Sequence, residues 1–319
     1  MPEIPVPPNI TVEKIYQSYV DNNGDWRRDH LGASLIGKEC ERSLWYTFRW
    51  ASNPNFNGRM LRLFSTGHSQ EKRLINDLKK IGCTVYDVDP NSGNQIHYSD
   101  FGGHYSGSLD CIASGFGEAP KTFHIVECKT MNAKAFKNLK GKGVQIAKFE
   151  HYCQMQVYMG WSKLDRAMYL VVCKDTDEIY SERIHFDQLV FDGLRDKADR
   201  VIFSDTPLSK VGELESFKCR WCEHKAVCHE KKLPEVNCRT CAHSDVINLG
   251  GWICGKDNHI LTPLEQRTAC DCHIFIPQLV PLEVTDANSE FGTVSYGDIV
   301  NGPGSILSKD LQEAIEKVC

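Results

Sequence analysis

The chain contains no apolar run approaching the ~20 residues that cross a bilayer as a helix, so no helical span is expected. Its start, Met1-Pro-Glu-Ile-Pro-Val-Pro-Pro8, has no basic residues ahead of an apolar segment, and no secretory signal is expected. An excess of positive charge is also missing. The net charge of −5 excludes wholesale coating of nucleic acid, although a basic patch can still be local. Internal repeats and long low-complexity tracts are absent, so neither a solenoid nor a disordered chain is expected. A cytoplasmic location is expected, of a cell or of an infected host, with no membrane partner.

Cysteine, by contrast, is abundant: 15 in 319 residues. In a cytoplasmic chain disulfides are disfavoured and clustered cysteines are read as metal ligands. Cys83, Cys111, Cys128, Cys153, Cys173 and Cys319 are scattered and suit small buried hydrophobes. Eight others crowd between Cys219 and Cys272, and Cys40 stands apart.

The periodicity divides the chain. The proline-rich start predicts an extended arm, a short helix covers Val12–Tyr19, and Ser34 is placed as the cap of a helix running through Cys40 to about Trp50. A long helix is predicted from Arg59 to about Ile81, stopped by Gly82. Strands follow at Cys83–Val88, Gln95–Tyr98, His104–Ala113 and Thr122–Lys129. Helices are expected at Ala133–Leu139 and Gln145–Gly160, strands at Asp165–Cys173 and Glu178–His185, and a helix at Phe186–Phe203. This order predicts an α/β fold with a mixed central sheet flanked by helices. The expected domains are an N-terminal arm (1–30), a core (31–232), a small cysteine-rich metal-binding module (233–280) and an acidic, loop-rich tail (281–319) ending in a helix from Ser308 to Lys317.

Two short segments concentrate chemistry: Gly107-Ser-Leu-Asp110 and His124-Ile-Val-Glu127-Cys-Lys129. Alternation on a strand puts Glu127 and Lys129 on one face, with Val126 and Cys128 on the other. A carboxylate and a lysine at the end of an apolar strand are costly unless they pair or bind an ion. A second carboxylate, Asp110, converging from an adjacent strand supplies what a hard cation needs.

With Gly67-His68-Ser-Gln-Glu71 before them and Gln154-Met-Gln-Val-Tyr158 after, these segments resemble the ordered motifs of the PD-(D/E)XK nuclease superfamily, in its RecB-like and phage exonuclease branch. The resemblance covers roughly residues 60–160. It implies a restriction-endonuclease-like core in which Asp110 and Glu127 hold Mg²⁺ or Mn²⁺, with the carbonyl of Cys128 completing the shell. It implies that Lys129 positions water and offsets phosphate charge, and that Gln154 and Tyr158, one turn apart, orient DNA or metal-bound water. The first-helix ligand is His68 or Glu71, with Glu71 preferred. Leu109 stands where the family motif has proline. Lys134, Lys137, Lys140, Lys142 and Lys148 are candidate contacts to the DNA backbone; Phe136 and Phe149 suit core packing better than base stacking.

Cys219-Arg-Trp-Cys222 and Cys228 form a C-x₂-C-x₅-C set lacking a fourth thiol. In AddB-like and CRISPR-associated adaptation nucleases one upstream cysteine joins three downstream, and Cys40 matches that element. The resemblance implies a [4Fe–4S] cluster on Cys40, Cys219, Cys222 and Cys228, with zinc as the alternative. A second set, Cys238-Arg-Thr-Cys241, Cys254 and Cys270, has zinc-ribbon-like spacing, with Cys272, His273 and His243 in reserve. The expectation is a metal-dependent DNA nuclease, taken as an exonuclease on linear single- or double-stranded DNA, with a replication or recombination protein as possible partner. A structure- or site-specific endonuclease and a non-catalytic nucleic-acid-binding scaffold are the alternatives.

Overall fold

The computed structural model describes residues 9–25, 27–303 and Glu313; the expected arm at 1–8, Cys319 and the terminal helix from Ser308 to Lys317 lie outside the described residues. The chain opens with helix α1 (Ile10–Asp21), strand β1 (Leu31–Gly32), helix α2 (Glu41–Phe48) and the long helix α3 (Gly58–Lys80). Then come β2 (Thr84–Tyr86), β3 (His97–Asp100), β4 (Tyr105–Ser108), β5 (Cys111–Ser114) and β6 (His124–Met131). Helices α4 (Ala133–Ala147) and α5 (Phe149–Ser162) precede β7 (Arg166–Cys173), β8 (Ile179–His185) and α6 (Gln188–Phe203).

The core is a mixed sheet of five strands in the order β2-β5-β6-β7-β8, with β6 and β7 parallel and the other pairs antiparallel. The two central strands are buried on both faces, which is why β7 reads as an unbroken apolar run, Ala-Met-Tyr-Leu-Val-Val-Cys. One face packs Val126, Cys128, Met168 and Leu170 against Leu74, Ile75 and Leu78 of α3. The opposite face packs Ile125, Tyr169 and Val171 with Tyr152, Met155 and Met159 of α5 and with the aromatic side of α2. The expected α/β architecture is therefore present, with the alternation of β6 sorting Ile125 and Val126 into different layers.

Three local expectations fail for non-local reasons. Ser34 caps no helix: the N–H groups of Leu31 and Ala33 donate to His104 and Ser106, so this stretch is committed to a parallel ladder with β4. Helix α2 starts later, at Glu41, with Cys40 in the N-cap position. The segment expected as one strand, His104–Ala113, is two strands in different sheets, because β4 pairs with β1 and β3 while β5 joins the central sheet. Asp110 thus stands at the join rather than at a strand end. The third is the expected loop-rich region after Pro281, described below.

After α6 come two short helices, α7 (Phe217–Arg220) and α8 (Lys225–His229), and then the cysteine-rich region: hairpin strands β9 (Ser244–Val246), β10 (Trp252–Cys254) and β11 (His259–Leu261), and helix α9 (Pro263–Thr268). Trp252, Val246, Leu261 and Cys238 belong to the same apolar cluster as α2 and α5, so this region shares the core's interior. The segment after Pro281 carries a three-stranded antiparallel sheet, β12 (Asp286–Asn288), β13 (Thr293–Tyr296) and β14 (Ile299–Asn301). Its Val294 and Tyr296 pack on Leu233, Ile274, Phe275 and Val280, which alternation in so short a stretch did not announce.

Candidate active site

Strand β6 delivers Glu127 and Lys129 to the same side, where the two side chains form an ion pair. Glu127 is 1% exposed, whereas the Lys129 side chain retains 28% exposure toward an open cleft. Asp110 arrives from the β4–β5 join, and its Oδ2 accepts a hydrogen bond from the backbone N–H of Cys128 at 2.7 Å. That bond fixes the Asp110 carboxylate against the strand carrying the other two groups.

The charges of the site act on one another. Burial pushes the Asp110 carboxyl above the usual carboxylate range; Glu71 adds to the rise, and Lys129 and the Cys128 N–H oppose it. Burial also raises Glu127, with Lys129 pulling down and Asp110 pushing up. Burial works against the Lys129 ammonium, but Glu127 and Asp110 outweigh it and hold its pKa above the ordinary lysine value. Glu71 on α3 is raised by burial and then by Glu127. Apart from Lys129 and the nearby Gln154 amide, the Glu127 oxygens find no hydrogen-bond partner. A buried carboxylate left in that state, beside a second one, is a donor set that a divalent cation satisfies.

The cleft over these groups is about 670 Å³. His68 and Glu71 of α3 both line it, but Glu71 interacts with Asp110 and Glu127 while His68 is an exposed side chain. Helix α5 closes the far side. Tyr158 donates to the carbonyl of Ser108 at 2.8 Å, and Gln154 Nε2 lies 3.5 Å from the Tyr158 hydroxyl. Glycine at 107 makes room for Tyr158: a Cβ there would fall 2.7 Å from Tyr158 Oη and 3.0 Å from the Ala33 Cβ. The Gly-x-x-Asp and Gln-x-x-x-Tyr segments therefore interlock.

Of the lysines after β6, Lys148 lines the cleft. Lys140 pairs with Glu178 at 2.5 Å and sits over the Phe136 ring, while Lys134, Lys137 and Lys142 are exposed on or near α4. Phe136 is buried, and Phe149 is exposed and stacked on Tyr152. Residues that sequence reasoning missed also line the cleft: Arg27, Arg28, His151 and Lys174. His151, one turn ahead of Gln154, was within reach of helical spacing. Its Nδ1 lies 2.5 Å from Tyr169 Oη, and burial, followed by Lys129 and Lys148, depresses its pKa to about 3. The other three come from distant segments and leave no local signature.

Cys40, Cys219, Cys222 and Cys228 line one hollow of about 750 Å³ that shares Phe56, Glu223 and His224 with the cleft. Burial raises the Cys219 and Cys228 thiols, and in both cases Cys40 and Cys222 push them further. The second set, Cys238, Cys241, Cys254 and Cys270, lines a third cavity together with Cys272, His243 and His273. A trio in the same cavity, Cys254, Asp257 and His259, brings its ligand atoms within 4.8 Å of one another; Asp257 and His259 were not foreseen. Among the described residues no helix is long and apolar enough to cross a membrane.

No protein-family model matches the chain. No curated protein matches it either. Among solved structures it is similar to an alkaline exonuclease from Laribacter hongkongensis, at 17% identity and a TM-score of 0.40 over 59% of this chain and 90% of that chain. The same exonuclease in complex with dAMP aligns at 16% identity over the same shares, with a TM-score of 0.40. A phage-related exonuclease from Haemophilus somnus aligns at 12% identity over 54% of this chain and 91% of that chain, with a TM-score of 0.39. These likenesses are distant, and the chemistry assigned to this chain rests on its own residues.

Proposed function

We propose that the chain is a metal-dependent DNA nuclease that hydrolyses phosphodiester bonds, acting as an exonuclease on linear DNA. The observation that carries this reading is the buried, ion-paired Glu127 carboxylate, meeting Asp110 and Lys129 at the floor of a cleft. Asp110 and Glu127, with Glu71 as the α3 ligand, would hold Mg²⁺ or Mn²⁺, which when bound polarises the phosphate and lowers the pKa of water. Lys129 stands where its ammonium offsets negative charge growing on the phosphate. Gln154 and Tyr158 brace the Asp110 segment, and Arg28, Lys148 and Lys174 supply cationic groups along the walls for the sugar–phosphate backbone. The exonuclease form rests on the order of the four motifs.

The Cys40, Cys219, Cys222 and Cys228 hollow has the four thiols that a [4Fe–4S] cluster takes, with zinc as the alternative. Bound there, such a group would tie the start of α2 to the segment after α6 and close a long loop.

Purified protein incubated with linear DNA and Mg²⁺ or Mn²⁺ should release nucleotides, and covalently closed circles should survive. Nicking of circles would replace the exonuclease with an endonuclease. No metal-dependent loss of linear DNA, despite DNA binding, would leave a non-catalytic scaffold.

A further inference from the structure

The nuclease reading makes no use of the cysteine-rich region after residue 232. We propose that this region folds around one zinc ion held by Cys238, Cys241, Cys254 and Cys270, and that the ion keeps Arg239 seated between Trp50 and Trp252 behind the cleft.

The four cysteines come from three separate local structures that converge on one cavity of about 260 Å³. Cys238 and Cys241 bracket a tight turn. Asn237 Oδ1 accepts from the N–H groups of Arg239 and Thr240, and the Cys241 N–H donates to the Cys238 carbonyl at 3.1 Å. A C-x₂-C turn of this kind presents two sulfurs to one side. Cys254 ends β10, where the next N–H, of Gly255, donates to the His243 carbonyl at 2.7 Å and ties the hairpin to the C-x₂-C turn. Cys270 follows α9, after Ala269 turns the chain with a φ of 55°. That left-handed backbone is unfavourable for alanine, and the Ala269 N–H donates to the Glu265 carbonyl at 3.1 Å.

His273 lines the same cavity but is buried, packs edge-on against Phe275 and places its Nε2 3.4 Å from Thr240 Oγ1, whereas His259 and Asp257 bring donor atoms within 4.8 Å of the Cys254 thiol. The region is small, and its hairpin strands are three residues each. A metal bound there would add to the folding energy that Trp252, Val246 and Leu261 supply by packing on the main core.

The consequence for the cleft runs through Arg239, which lies inside the C-x₂-C turn. Its guanidinium is 3.7 Å from the Trp50 ring centre and 4.8 Å from that of Trp252. It donates to the Phe48 and Asp29 carbonyls at 3.0 Å each and to Gln266 Oε1 at 2.9 Å. Trp50 is itself a lining residue of the cleft, as are the neighbouring Arg27 and Arg28. Opening the turn would withdraw the group that holds this wall.

The test uses the full chain, purified anaerobically from zinc-supplemented cells without chelator, with metals measured by elemental analysis. Cys238→Ser and Cys270→Ser should each lower zinc by about one equivalent per chain relative to the parent, whereas Cys272→Ser and His259→Ala should retain it. Reading differences between variants separates this ion from any metal on the Cys40 set. Should the serine variants fail to fold, the parent answers alone: titrating its thiols with a mercurial should release zinc to a colorimetric indicator and shift tryptophan fluorescence. The ligand set is overturned if Cys238→Ser and Cys270→Ser keep the parent's zinc, if His259→Ala loses it, or if the parent with reduced thiols holds none. Zinc release with unchanged tryptophan emission would overturn the link to Arg239.

Discussion

The backbone N–H of Cys128 donates to Asp110 Oδ2 at 2.7 Å, so the strand that carries Glu127 and Lys129 also aims the second carboxylate. One oxygen of Asp110 is thereby committed to protein, and the other is left for a ligand. The bond survives replacement of the charge if the oxygen stays in place.

This separates two substitutions. Asp110→Asn keeps an acceptor for the Cys128 N–H but removes the charge, so it should fold normally and lose at least ~100-fold in cleavage, the scale set by deleting one electrostatic contact to a transition state. Lys129→Ala should lose as much while retaining DNA binding. Nuclease assays with Mg²⁺ and fluorescence-anisotropy binding to the same DNA check both. Full activity in either variant would remove these residues from the chemistry.

Glu127 yields a pH prediction. Its carboxyl is raised, by burial first and Asp110 next, so the folded state holds this proton more tightly than the unfolded chain does. The stability difference is therefore smallest when both states are protonated, and it grows as the pH rises above the ordinary carboxylate range, where the unfolded chain ionises freely. Without divalent metal, Glu127→Gln should melt higher than the parent at neutral pH, and the gap should close toward pH ~4, below the usual glutamate value. Adding Mg²⁺ should reverse the order at neutral pH, because only the carboxylate gains a ligand. Thermal melts of both proteins across pH, with EDTA and with Mg²⁺, test this; a gap that does not vary with pH would show that Glu127 carries no strained charge.

How much of this was legible beforehand differs by residue. The shared face of Glu127 and Lys129 follows from the two-residue period of β6, and α3 follows from its three- and four-residue spacing and the stop at Gly82, whose φ is 89°. Asp110 was found, but its setting was not: the break between β4 and β5 has no glycine or proline at Leu109-Asp110, and it exists because the two strands are claimed by different sheets. Ser34 was misread for the same reason, since the ladder with β4 that occupies Leu31–Ala33 comes from partners some seventy residues away. Arg28 and Lys174 reach the cleft from opposite parts of the chain, and no local pattern marks them.

The first cysteine set makes a prediction about colour. If Cys40, Cys219, Cys222 and Cys228 hold an iron–sulfur cluster, anaerobically purified protein is brown, and Cys219→Ala bleaches it and lowers solubility. Cys153→Ala, at a buried thiol in the main apolar cluster away from that hollow, leaves the colour intact. Absorbance spectra with iron and sulfide assays decide it. An unchanged spectrum and melting temperature in Cys219→Ala would reject the cluster, while loss of zinc with no iron in the parent would assign the hollow to zinc.

Gly107→Ala is the most local test of how the site is braced. The added methyl would meet Tyr158 Oη at 2.7 Å, which is not tolerable as it stands, and the Ala33 Cβ at 3.0 Å, a tight contact from which the neighbour must give. Tyr158 is 2% exposed and packed within the main apolar cluster, so it has little room to swing aside. Relief must come from moving the β4 backbone or breaking the 2.8 Å bond from Tyr158 to the Ser108 carbonyl. Overpacking of this kind costs about 1–3 kcal/mol, and losing the single hydrogen bond, as in Tyr158→Phe, costs about 1 kcal/mol. Because Asp110 lies three residues beyond Gly107, the shift should also move its carboxylate and reduce cleavage more than Tyr158→Phe does. In the double variant the methyl no longer meets a hydroxyl, so the two stability losses should sum to more than the combined loss measured by urea unfolding. Strict additivity would mean that Gly107 and Tyr158 do not constrain each other.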